Sequence, residues 1–299
     1  MGYRLHQQET VVDGVRRIGR AQIDKARADI GRPDRVEAVH QARKRCKRLR
    51  GLVRLVRPAL GKGYARENTR FRDIARTVSD VRDAQVLQET FDTLMAACDD
   101  RIDRRHYAPL RQQLVAKAES ISDADLADRL GRMDDALAAA RTAVADWQLS
   151  RTGFAALGPG FTKTYKRARR QGRQAFETTD TERWHDWRKR VKYHRFHCQL
   201  LAGAWPRPLK ARAKELDRLG DLLGDEHDLA VLQTWLAHGG NKLRDDNQQA
   251  LTQLIAERRT ALRRQAVPLG QCLFADKPRV ITDRMARYWH AAGAATATD

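Results

Sequence analysis

Residues 40–57 read HQARKRCKRLRGLVRLVR, a run whose apolar and basic side chains separate onto opposite sides when it is wound at 3.6 residues per turn. His40, Arg43, Lys44, Lys47 and Arg54 then share one side, with Arg50 at its margin, and Val39, Ala42, Cys46, Leu49, Val53 and Val56 share the other. The arrangement returns 145 positions later in HDWRKRVKYHRFHCQLL, with His185, Arg188, Lys189, Lys192 and Arg195 in the same places. A fold for this chain must bury one face of two matching helices and leave both basic faces available.

Neither face carries its own counter-charge. A solvated basic helix normally interleaves Glu or Asp at i±3 or i±4, because like charges at that spacing destabilise it by a few tenths of a kcal/mol each. No acid occurs between Ala38 and Arg66, and none between Trp187 and Lys214. A single basic helix of this kind is ordinarily a snorkelling solvated face. Two such helices without acids point to a counter-charge supplied from outside.

The whole chain leans the same way. Its 299 residues hold 58 Lys and Arg against 38 Asp and Glu, a net charge of +20, which implies an acidic partner: nucleic acid, an anionic membrane or a phosphate polymer. Hydrophobic residues make up 41% and recur with helical period, so the chain is expected to fold rather than stay disordered. MGYRLHQQETVVDG lacks an apolar signal region and no apolar run approaches a membrane span, so a cytoplasmic protein that stays off membranes is expected. Cys46, Cys98, Cys198 and Cys272 are widely spaced without a CxxC, and read as reduced thiols.

The pattern is all-α, with turn signals between helical stretches. Helices are expected over residues 5–30, 34–57 (capped by Asp34, with Glu37 completing a capping box), 63–79, 83–97, 101–119 and 124–148. Gly153 to Gly160, with Pro159, marks the best boundary, dividing the chain into halves 1–152 and 153–299. Beyond it helices are expected over 161–176, from 181 onward, 209–223 up to a stop at Gly224, then to 237. A turn at Gly239-Gly240, a helix to about 264, a short helix after Pro278 and a frayed tail from 291 complete the reading.

At the 145-residue offset His40, Arg43, Lys44, Arg45, Lys47, Arg50, Leu55 and Ala59 meet identical residues, and farther on Asp80, Asp83, Val86 and Leu87 meet Asp225, Asp228, Val231 and Leu232. Twelve gap-free identities indicate a duplicated multi-helix unit. Two four-helix bundles related by a pseudo-two-fold axis follow, with both basic faces converging on one groove if the organising helices lie near that axis.

The segments VHQARKRCKRLRGLVRLVRPAL with VSDVRDAQVL, and WHDWRKRVKYHRF with LGDEHDLAVL, resemble the CHAD domain, a histidine-containing α-helical family, over about residues 5–265. The resemblance implies two internally symmetric four-helix bundles, no established catalytic activity, and binding of inorganic polyphosphate on a central basic surface. Carried over by motif are His40, Arg43, Lys47, Arg48 and Arg50, then His185, Arg188, Lys192 and Arg195. YKRARRQGR resembles the family's basic helix that opens the second half and adds Lys166, Arg169, Arg170 and Arg173. The stripes themselves supply Lys44, Arg54 and Lys189. Two departures are visible: Tyr193 replaces the Arg48 of the first copy, and Arg16, Arg17 and Arg20 match no motif.

Rows of Lys and Arg repeating every helical turn, about 5.4 Å, suit a string of tetrahedral anions with no bases to stack. His40 and His185 can donate to phosphate, or can hold a neighbouring helix. Asp80, Asp83, Asp225 and Asp228 read as caps or as supports for Arg; His194, His197 and Cys198 read as chance spacing rather than a metal cluster. No phosphate loop, HExxH, GxSxG or paired-carboxylate motif stands out, so no cofactor and no enzyme activity are expected. The competing readings are a protein that binds RNA along its backbone and, less favoured, an enzyme of polyphosphate or nucleotide turnover.

Overall fold

A computed structural model describes residues 2–98, 102–238 and 243–296. The described residues form helices joined by short turns, without a strand. No helix among them is long and apolar enough to cross a membrane. The helices are α1 (Val11–Ile30), α2 (Arg35–Leu55), α3 (Arg57–Leu60), α4 (Gly63–Arg76), α5 (Ser79–Ala97), α6 (Ala108–Ala118), α7 (Asp123–Ala145), α8 (Gly153–Phe176), α9 (Thr181–Leu200), α10 (Pro206–Ala237), α11 (Asp245–Leu273) and α12 (Pro278–Thr296).

The organising helices form as expected. Asp34 accepts from the Val36 and Glu37 amides at 3.0 Å each to start α2, and Asp180 accepts from Glu182 N at 2.9 Å to start α9. Other boundaries shift for physical reasons. The first helix begins at Val11 on a Thr10 cap, and residues before it form an extended strap whose Leu5 amide donates to the Leu200 carbonyl at 2.9 Å. The expected helix over 101–119 is a 3₁₀ turn, Arg104–Tyr107, followed by α6, and its first residue lies outside the described ones, as does the Gly239-Gly240 turn.

The boundary stretch 153–160 is not a linker but the first two turns of α8. The turn itself is Gly153, at φ 51°, and Gly160 serves contact: a Cβ there would fall on the Leu55 carbonyl of α2. Gly224 likewise does not stop a helix, because α10 runs through it for 32 residues. A Cβ at Gly224 would meet Arg188 Nη2 at 3.6 Å, an ordinary contact, so the helix passes this position without strain. Helix α11 continues past Pro268 to Leu273, and the final helix is 19 residues long, anchored by Ile281, Met285 and Trp289 against α8.

Apolar residues of α1–α4, α7–α9 and α12, with the near end of α10 and the far end of α11, make one core. A smaller core lies between α5, α6 and the remaining parts of α10 and α11. Because α2 and α9 each bury their apolar stripe in the larger core, their basic stripes are pushed to the opposite side, where α5 and α10 approach.

Candidate anion-binding site

Helices α2 and α9 touch directly at Gly51, where a Cβ would lie 2.9 Å from Phe196 Cβ and where the carbonyl accepts from His197 Nε2 at 3.1 Å. This close crossing brings the two basic stripes within charge range. Lys47 feels Arg43 and Arg188, Lys192 feels Arg188, Lys47 and Arg195, and Arg48 repels Arg195 across the crossing. On the other flank the Tyr193 ring lies 4.2 Å from the Arg54 guanidinium and 6.0 Å from that of Arg50. Tyr193, the departure from the repeat, thus serves as a platform for two arginines.

Crowding by protein and by like charge sets the protonation of this region. Burial, then Arg188 and Lys47, push the Lys192 ammonium down to about 7; burial, then Arg43 and Arg188, push Lys47 down to about 8. Lys47 is nevertheless open to solvent. Lys192, its counterpart on α9, is half-buried. Asp83 and Asp228 are the carboxylates acting on the two lysines, against Arg43, Arg82, Arg188 and the lysines themselves. Burial raises the Asp228 carboxyl in spite of those cations.

Both histidines expected at the stripes stand at the rim of this region. Burial and then Arg82 lower His40, while His185, pushed to about 4 by burial and then Lys189, stacks on His227 at 3.9 Å between centroids. Burial and then His185 push His227 to about 3. The Nδ1 atoms of His185 and His227 are buried with no partner among the described residues.

Over residues 17–237 the sequence matches the family profile described as CHAD domain. The chain belongs to the CHAD domain family. That family is associated with polyphosphate binding in general. A crystal structure of the CHAD domain from the plant Ricinus communis is similar in fold, with a TM-score of 0.56, 18% identity, and coverage of 97% of this chain and 95% of that one. Comparison with curated protein sequences finds no match.

In this CHAD domain the remaining candidate residues divide. Arg43 donates to the Ala75 carbonyl at 2.7 Å, Arg50 to Asn68 at 3.4 Å and Arg54 to the Tyr64 hydroxyl at 3.0 Å, so all three are held in place without losing their charge. Lys44 stands near Arg48 and Arg195, Lys189 pairs with Asp186 at 2.5 Å, and Arg195 pairs with Asp217. On α8 the four expected residues differ in environment. Arg169 donates to the Phe274 carbonyl at 3.0 Å, and Lys166, Arg170 and Arg173 are exposed. The α8 residues beside Arg54, Arg57, Arg190 and Tyr193 are Lys163 and Arg167.

Arg82 and His227 were not singled out by the motifs, yet they face the stripes from α5 and α10. They occupy the same repeat position, each immediately flanking a matched aspartate. Capping by Asp225 and Asp228 does not occur, since both lie mid-helix, and Asp80 pairs with Arg129 at 2.7 Å. Arg16 donates to the Trp147 carbonyl and Arg17 binds Glu9, both structural contacts. His194 and His197 are fully buried among Phe161, Tyr165 and Phe274, where burial lowers both, His197 to about 3.

Proposed function

We propose that this CHAD domain binds inorganic polyphosphate along the concavity between α2 and α9, as a binding module and not an enzyme, and that this carries it to polyphosphate granules in the cytoplasm. The observation that carries the reading is the gathering of Lys47 and Lys192 with Arg43, Arg82 and Arg188, five cations against Asp83 and Asp228, with Arg82 also paired to Glu89 at 3.0 Å. Holding such cations together costs free energy, which a polyanion recovers by neutralising them and by releasing its condensed counterions.

Two bundles related by a pseudo-two-fold axis fit the contacts. At the 145-residue offset Lys47 and Lys192 are counterparts, and so are Gly51 and Phe196, which touch. The Arg48–Arg195 approach has its counterpart in Arg50–Tyr193, and His40–Arg82 in His185–His227. An axis between the two lysines accounts for all of these pairs, and it would present similar charge to a polymer entering from either end.

An RNA-backbone reading draws on the same charge but lacks stacking surfaces. Trp184 and Trp187 are buried, and Tyr193 is covered by Arg54. The test compares long-chain polyphosphate, single-stranded RNA and duplex DNA at matched near-physiological salt, with Arg43, Lys47, Arg188 and Lys192 changed together to Glu. Polyphosphate should bind most tightly, and the quadruple variant should lose it, with the log–log salt slope falling by about three for four lost phosphate contacts. RNA binding as tightly, or a variant of unchanged affinity, would defeat the groove reading.

A further inference from the structure

The chain holds a second basic concavity, on the flank of the α2–α9 crossing where Arg48 meets Arg195. It is a cleft of about 490 Å³ bordered by the strap residues Tyr3 and Arg4, Arg48 of α2, Gln199 of α9, and Lys210, Lys214 and Asp217 of α10. We propose that this cleft is a separate site for a short oligophosphate, either free or as the terminal units of a longer chain. The proposal extends the polyphosphate reading; it shares Arg48 with the motif residues and otherwise rests on different ones.

The strap builds the cleft. Tyr3 donates to the Arg48 carbonyl at 2.7 Å and packs its ring edge against Phe196, Leu5 is tied to Leu200, and Arg17 holds the Arg4 carbonyl at 2.9 Å. Gly203 admits the strap, because a Cβ there would strike the Leu5 carbonyl. At the repeat-related place on the other flank, where Tyr193, Arg54 and Arg57 correspond to Arg48, Gln199 and Ala202, α8 fills the space and leaves only about 10 Å³. The two flanks have therefore diverged, one closed by a helix and one left open by a thin strap.

Chemistry selects the ligand. No described carboxylate is ion-paired with Arg4, Arg48, Lys210 or Lys214, and the one acid in the cleft, Asp217, is already paired with Arg195. Four cations without partners call for a compact ligand with several negative charges, which a single carboxylate does not supply. Two buried polar atoms, Arg48 Nε and Gln199 Oε1, have no hydrogen-bond partner among the described residues. Amide rotation gives Gln199 a donor to turn toward a phosphate oxygen. A nucleobase finds no open ring, since Arg48 lies over Tyr3 at 5.5 Å and Phe196 meets its edge.

The experiment titrates the full chain with tripolyphosphate, with long polyphosphate bearing free ends, and with long polyphosphate whose ends are blocked as amides. Lys210→Glu with Lys214→Glu is compared with the groove variant Arg43→Glu with Arg188→Glu. Both lysines are exposed, so the charge reversal leaves the core untouched. The cleft variant should bind tripolyphosphate at least roughly tenfold more weakly than the parent, while the groove variant keeps most of that affinity. If free oligophosphate is the ligand, the cleft variant binds both long chains normally; if chain ends are, it weakens only for the free-ended polymer. Tripolyphosphate binding unchanged in the cleft variant overturns the proposal, whatever the groove variant does. Loss of long-chain binding only in the groove variant tests the groove separately.

Discussion

Binding of polyphosphate in the groove should be accompanied by proton uptake at mildly alkaline pH. In the free protein Lys192 titrates at about 7 and Lys47 at about 8. Both values are depressed, so between those values and the ordinary lysine range the free protein carries these amines neutral. A polyanion lying between them favours the ammonium forms and returns both to charge. At pH 7.5 Lys192 is about three-quarters neutral and Lys47 about one-quarter, so full protonation in the complex takes up about one proton. By pH 9 the uptake approaches about two, and at pH 6 it falls to about 0.1.

The same linkage sets the sign of the affinity change. Affinity should fall about tenfold per pH unit around 7.5 and level off below pH 6, where both lysines are charged before the ligand arrives. Titration calorimetry in two buffers of different ionisation enthalpy at one pH reads the uptake directly, and the Lys192→Arg variant should remove about three-quarters of it at pH 7.5. Heat that does not depend on the buffer at pH 7.5 would refute the reasoning, since either the ligand would not lie between the lysines or their charges would not be suppressed by each other and by burial.

Glu226 is fully buried and its Oε1 accepts from Arg259 and Arg263 at 2.6–3.1 Å, the arginine side chains being only 14% and 15% exposed. Glu226→Gln strands two buried guanidinium groups and should cost roughly 3–5 kcal/mol in urea denaturation; a loss under about 1 kcal/mol would contradict it. The buried histidines give acid sensitivity: an unfolded histidine takes up a proton near pH 6.5 and folded His197 not until about 3, so stability is lost as pH falls through that window. The slope should approach about 1.4 kcal/mol per pH unit per histidine, and denaturation curves from pH 7 to 4 should show it flatter in His197→Gln. Gly160→Ala places a methyl on the Leu55 carbonyl and should cost about 1–3 kcal/mol by forcing α8 off α2; equal denaturation midpoints would show a looser crossing.

Sequence made the organising helices legible because their stripes are sharp and their caps strong. Asp34 caps as expected, Asp180 does the same for α9, and the two basic stripes come within charge range of each other. Glycine was the recurrent difficulty. Gly224 and the stretch around Gly160 carry the marks of a stop and a boundary, yet each lies within a helix, and at Gly160 the Leu55 carbonyl needs the space of a Cβ. Periodicity in one segment holds no record of what another segment presses against it.

Arg82 and His227 escaped for a different reason, because matching by identity passes over a pair that shares a place but not a side chain. Their difference carries chemistry. Arg82, paired with Glu89 at 3.0 Å, lies near His40, Arg43 and Lys47, whereas His227, at about 3, is neutral in the free protein beside an equally neutral His185. The first half therefore presents more of its charge before the ligand arrives, Lys47 titrating at about 8, while the second half, with Lys192 half neutral near pH 7, holds more in reserve. A polymer should accordingly engage the α2–α5 side first and draw protons onto the α9–α10 side as it settles. Replacing His227 with Arg should then raise affinity at pH 8 and pH 6 alike, since His227 is neutral at both, while removing charge at Arg82 should weaken binding at both.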